Sequence, residues 1–324
     1  MILILGAPRS GTSWLGKIFD SHPDVLYRHE PDSALPTDEF PFLCPPDEVA
    51  LHLPKARAYI ERIAAMRDIK SMGVIPAFRK NYHTRLQHSL RESLILLVKM
   101  GERIGVPSGV IGKFQIPDFI TPEQVGSVTF VLKSVIALGR ARLFSQASPD
   151  IKTIIILRHP CGHVASIMRG VALGKHPGTV HVEALSKTEQ ARRRNLDVAR
   201  LGGMDLLEQL AWRWVILNEK AIEETEELRN VRILLYEDLC RSPEKAVRDM
   251  FAFTGVPWHP MTEAFIRQST AHSGSERYFQ IYRNSLSAAE KWKTELCGED
   301  IDRIITIAAD SHVSEICKVL VPET

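Results

Sequence analysis

Cysteine is sparse and unorganised in this sequence: Cys44, Cys161, Cys240, Cys297 and Cys317 are five among 324 residues. An odd, scattered set without metal-type spacing argues against a zinc site or a disulfide-dense scaffold. It predicts reduced thiols in a cytoplasm, with a secreted fold of two disulfides and one free thiol as the alternative. Charge of one sign is missing too. The 41 Lys and Arg against 39 Asp and Glu leave a formal +2, so nothing points to nucleic acid and any anion site must be local. Long hydrophobic runs are absent: Ile2 to Leu5, directly after Met1, is too short to span a bilayer and reads as a buried strand. No signal peptide or anchor is expected here, although one could lie upstream of a trimmed catalytic part. Internal repeats and low-complexity tracts are also lacking.

What is present is ordinary for a soluble globular protein, 44% apolar and 25% charged. At this length, one elaborated α/β domain over residues 1–324 is expected rather than two. The first 30 residues read as strand, Gly-rich turn, helix, strand, the helix carrying Trp14, Leu15, Ile18 and Phe19 at helical spacing. Residues 31–54, rich in proline and acid, predict a long irregular loop, of the kind that binds acceptors beside nucleotide sites. Helices are predicted around 55–68, 82–103, 140–147 and 204–227, with strands at 128–132, 153–157 and 231–235. Val164, Ile167, Met168 and Val171 give another helix, opened by Pro160. Residues 174–203, with Arg192-Arg193-Arg194, read as a polar, basic insertion presenting a solvated face. Strands alternating with helices predict a parallel sheet covered on both faces, followed by a mostly helical C-terminal part.

Gly6-Ala7-Pro8-Arg9-Ser10-Gly11-Thr12-Ser13 has the length and placement of a P-loop, whose backbone N–H groups cradle an anion. The lysine of the triphosphate-binding version is replaced by Thr12, and a cation, Arg9, sits inside the loop instead. A second apolar strand, Ile154 to Leu157, ends in Arg158, where Mg²⁺-dependent P-loop enzymes commonly place an aspartate. A cation there argues for a second anion, which Arg158 and Ser166 could share.

Four segments in this order carry a family resemblance. They are Pro8 to Leu15, Arg158-His159-Pro160 with Ser166, Tyr236 to Leu239, and Arg283-Asn284-Ser285 with Trp292-Lys293. Together they resemble the sulfotransferases that use 3′-phosphoadenosine 5′-phosphosulfate (PAPS), and the spacing from Arg9 to Glu30 is similar to the carbohydrate and tyrosylprotein branches. The resemblance implies a P-loop-type α/β fold and sulfuryl transfer from PAPS to a hydroxyl of a carbohydrate, glycolipid or small natural-product alcohol, releasing PAP without a metal. It implies that Arg9, Ser10, Gly11, Thr12 and Ser13 bind the 5′-phosphosulfate, and that Arg158, Ser166 and Arg283 bind the 3′-phosphate. His159 departs from the acidic or Asn residue common after that arginine. Glu30 is the implied base, with His29 as rival. Neighbouring strand residues point to opposite faces, so only one of the two is expected to reach the acceptor. Lys133 resembles the lysine that contacts the bridging oxygen, and Ser273 or Ser275 is a further helper. Trp212, Trp214 and Trp292 read as core, while Trp14 leaves an adenine or acceptor contact open. The resemblance leaves two compartments, the cytoplasm or a trimmed catalytic domain of the Golgi lumen. A P-loop small-molecule kinase, holding a metal at Glu237 and Asp238, and a non-catalytic nucleotide-binding protein are the competing classes.

Overall fold

The computed structural model describes residues 1–73, 76–112, 114–271 and 285–317. Five parallel strands form one sheet: β1 (Ile2–Leu5), β2 (Val25–His29), β3 (Thr129–Ser134), β4 (Lys152–Leu157) and β5 (Val231–Leu235), in the order β2-β3-β1-β4-β5. Alternation along the central strands sorts their side chains to two cores. Leu3, Leu5, Leu132 and Ile155 pack on one face, against the helices Val49–Ala64 and Leu206–Glu223. Ile2, Ile4, Val131, Ile154 and Ile156 pack on the other, against helix α1 (Thr12–Asp20) and the helix Pro243–Thr254. Such double burial is why these strands read as unbroken apolar runs.

The chain leaves β1 for β2 and β3 on one side and reaches β4 and β5 on the other. The order therefore switches beside β1, where the carboxyl ends of open α/β sheets hold ligands. The Gly6–Gly11 turn and Arg158 lie at that switch.

Two expectations need correction. Residues 31–54 are only partly irregular: α2 spans Pro31–Ala34, a 3₁₀ turn spans Pro46–Glu48, and α3 (Val49–Ala64) starts earlier than predicted. Pro54 lies inside α3, where it removes one hydrogen bond without ending the helix. Residues 174–203 are mostly exposed, Arg192 and Arg193 among them, but they do not form one solvated helix face. Three short helices, Val182–Ser186, Glu189–Arg192 and Val198–Gly202, bury Leu185, Ala191, Leu196 and Leu201. Arg194 is spent on ion pairs to Glu219 (2.9 Å) and Asp310. Side-chain caps from Thr188 and Asp197 start two of these helices, and their brevity hid the period. The longer helices fall at Arg85–Arg103 (α4) and Leu206–Glu223, inside the predicted windows.

Candidate active site

The phosphate loop is shaped by two left-handed residues, Arg9 (φ 70°) and Gly11 (φ 96°), before α1 begins at Thr12. Gly11 has no alternative: a Cβ there would lie 2.3 Å from the Tyr236 ring. Ser10 N donates to Ala7 O (3.1 Å) and Trp14 N to Gly11 O (3.0 Å), closing the turn. Ser10 Oγ is buried without a hydrogen-bond partner among the described residues.

Arg158 emerges from β4 beneath this loop. Its Nη1 donates to Arg9 O (2.8 Å), its Nη2 to Ala288 O (3.1 Å), and its guanidinium lies 4.7 Å over the Tyr236 ring. Its Nε is buried and unpartnered among the described residues. Ser166, on the helix Pro160–Ala172, accepts a hydrogen bond from Arg9 Nε (3.1 Å). Arg158 and Ser166 thus converge on Arg9, one through its backbone and one through its side chain. Arg283, Ser273 and Ser275 lie outside the described residues.

Glu30 and Lys133 meet at the carboxyl edge. Lys133 stands on β3 opposite His29 on one side and Ile4 on the other, and Glu30 N donates to Lys133 O (2.8 Å). Lys133 Nζ hydrogen-bonds Glu30 Oε1. The lysine is 1% exposed and the glutamate side chain 28%, so a molecule in solution can reach the carboxylate but not the ammonium's stem.

Glu30 does not end β2 but follows it, at φ 46°. The left-handed turn takes its side chain out of strand alternation, and His29 Nε2 comes within 3.8 Å of Glu30 Oε1. The expected separation of the two side chains onto opposite faces is therefore wrong. His29 Nδ1 lies 3.0 Å from Tyr27 OH. Burial, helped by Lys133, pushes the imidazole down to about 3, which keeps it neutral. Burial alone would raise Glu30, but the Lys133 and Arg9 charges outweigh it and hold the carboxylate below its usual range. Burial also lowers Lys133, against the pull of Glu30.

Residues 2–260 match the Sulfotransferase family. This chain belongs to it. Carbohydrate sulfotransferase 6 of Homo sapiens is 25% identical over 95% of this chain and 78% of its own length. Carbohydrate sulfotransferase 5 of Mus musculus is 23% identical over 94% and 77%. Among solved structures, the sulfotransferase domain from the curacin biosynthetic pathway aligns over 96% of both chains, at 16% identity and a TM-score of 0.46.

Several residues of this sulfotransferase's edge escaped the sequence reading. Tyr236, named above only as part of a family segment, is the platform under both Gly11 and Arg158. Glu237 holds a loop: its Oε1 accepts from His159 N (3.1 Å). His159 stacks on Trp292, with centroids 4.6 Å apart and planes 6° apart, so Trp292 is less a core residue than expected. Trp14 turns into the core, where its Nε1 donates to Ser269 Oγ (3.1 Å). Among the described residues, one group has metal-ligand spacing: Glu219, Glu223 and His312. Arg194 and Arg193 already pair with those carboxylates.

Asp32 is the largest omission. It is 1% exposed, accepts a hydrogen bond from Ser134 Oγ and leaves Oδ1 without a partner among the described residues. Burial, reinforced by the Glu30 charge, pushes its carboxyl up to about 6. An unfolded Asp titrates near 3.9, so the native state holds an extra proton between about pH 4 and 6 and loses stability as pH rises through that window. Asp32→Asn should remove this loss. Its advantage over the wild type should grow from pH 4 to 6 and persist at pH 7, at on the order of 2–3 kcal/mol. Thermal melts whose difference stays flat with pH would show that Asp32 ionises normally.

Proposed function

We propose that this sulfotransferase takes its sulfuryl group from PAPS and delivers it to an alcohol hydroxyl of a carbohydrate, releasing PAP. The observation that carries the donor is the convergence of Arg158 and Ser166 on Arg9 beneath a lysine-free P-loop. Two buried polar atoms there, Ser10 Oγ and Arg158 Nε, have no partner among the described residues and suit phosphate oxygens. In this reading Arg9 to Ser13 surround the 5′-phosphosulfate through loop N–H groups and the start of α1. Arg158 and Ser166 take the 3′-phosphate, with Arg283 as a third contact. The carbohydrate acceptor is supported by the names of the relatives, and we assign residues 31–54 and 174–203 to the acceptor side of one domain. The odd, scattered set of five cysteines fits a cytoplasmic location, while the carbohydrate relatives keep a trimmed lumenal domain as its rival.

Glu30 is the base in this scheme and Lys133 stabilises the charge on the departing phosphate. One ammonium cannot serve Glu30 and the donor fully at once. When Lys133 turns to the bridging oxygen, Glu30 keeps its burial and loses its main counter-charge, so it becomes a stronger base as the donor arrives. His29, neutral beside it, remains within reach to orient the carboxylate.

The test is turnover with PAPS and a panel of sugar alcohols in the presence of a chelator. Because Arg9, Lys133 and Arg158 supply the cations, sulfuryl transfer should keep its full rate without Mg²⁺. An absolute metal requirement would sink this reading and favour phosphoryl transfer. Stabilisation by PAP but not by ATP-Mg²⁺ in a melting assay is expected alongside.

A further inference from the structure

The helix α4 (Arg85–Arg103) carries a second apolar face that none of the described residues covers. One side is accounted for: Ile95 and Val98 are buried in a small core with Ile69 and Ile116. On the opposite side, Leu86, Leu90, Leu97, Met100 and Ile104 are 78, 48, 65, 61 and 80% exposed. Ser93 is exposed among them, and none of the six is ionisable. Ile104 continues the helical ladder, its N donating to Met100 O (3.1 Å), before Gly105 (φ 85°) ends it.

The six positions follow one heptad register. Leu90, Leu97 and Ile104 are seven apart, and so are Leu86, Ser93 and Met100, with steps of four and three between the two sets. At 100° per residue they fall in one narrow stripe about 27 Å long. Five large side chains, open to this degree, leave on the order of 400–600 Å² of apolar surface per copy. That matches the largest apolar patch a monomer usually tolerates, and would form the dry centre of an interface of about 800 Å² per partner.

We propose that the occupant is a second copy of this chain, joined through an antiparallel α4–α4 seam. The register is self-complementary. With a two-fold axis at residue 95, Leu90 faces Met100, Leu97 faces Ser93 and Ile104 faces Leu86, each pair occurring twice, as an isologous contact requires. The small Ser93 receives the bulk of Leu97 on both sides of the axis. A parallel seam would instead set Ser93 against Ser93 and waste the middle layer.

Sedimentation velocity from about 0.2 to 50 µM should reveal a species of twice 36.5 kDa, with Leu97→Glu shifting it to monomer and raising the dissociation constant at least about 100-fold. Leu97 is solvent-facing in the single chain, so the variant should keep its sulfuryl-transfer rate and the melting point of the wild type diluted to monomer. In a Cys297→Ser background, Leu90→Cys with Met100→Cys should oxidise to a cross-linked dimer, and Leu90→Cys alone should not. A wild type that stays monomeric throughout overturns the proposal, as does a dimer indifferent to Leu97→Glu. Monomers that co-sediment with phosphatidylcholine–phosphatidylserine vesicles through Leu97 would assign the stripe to lipid and overturn it equally. Cross-linking by Leu90→Cys alone would refute the antiparallel seam.

Discussion

Glu30→Gln should lower kcat by roughly 10²–10⁴, the usual worth of general-base catalysis, while donor affinity stays near the wild-type value. Glutamine keeps the shape and one acceptor oxygen for Lys133 but cannot take a proton. A second effect follows from the ion pair. Removing the charge opposite a lysine that is 1% exposed should also cost stability, because breaking a buried pair is typically worth about 3–5 kcal/mol. Melting points must therefore accompany the kinetics, and rates must be compared below the variant's transition. The acceptor should be an alkyl alcohol; a phenol, with a pKa near 10, needs less help and would blur the result. His29→Ala should cost far less, since the imidazole, pushed down to about 3, is a poor proton acceptor. If Glu30→Gln turned over normally and His29→Ala were inert, the base would be His29.

Arg158→Ala should weaken PAPS and PAP by about tenfold to a hundredfold, the worth of one charge-assisted contact of roughly 1.5–3 kcal/mol. Adenosine 5′-phosphosulfate, which lacks the 3′-phosphate, should be affected little. The structure supplies the opposing hypothesis. Arg158 also braces the phosphate loop through Arg9 O (2.8 Å), so a purely architectural role would weaken both ligands alike. Calorimetric titration of the two nucleotides into the same variant separates these outcomes.

The sheet was legible because its inner strands are covered on both faces, which leaves runs such as Ile154-Ile155-Ile156-Leu157 with no polar interruption. The phosphate loop was legible because chemistry and chain geometry constrain the same few residues. Partnerships between strands were not. Lys133 meets Glu30 across a separation of 103 residues, through a β2–β3 register that no local pattern records. The left-handed turn at Glu30 was equally hidden, since nothing in Arg28-His29-Glu30-Pro31 demands positive φ. Asp32 went unnoticed because its shift comes mainly from tertiary burial. Proline misled at Pro54, where surrounding packing keeps a helix that local preference would end.

The contact between Gly11 and the Tyr236 ring also restricts the order in which this chain can change during evolution. A side chain at position 11 would strike the ring at 2.3 Å, so no variant there is tolerated while Tyr236 stands. Shrinking residue 236 first would clear the space but take away the surface on which Arg158 rests, 4.7 Å above the ring. Even then, φ 96° at position 11 would tax any L-residue by about 1–2 kcal/mol. Every single-step route away from this pair passes through a damaged intermediate. Lineages that keep the donor site should therefore hold the two positions together, and lineages that abandon it should release them together.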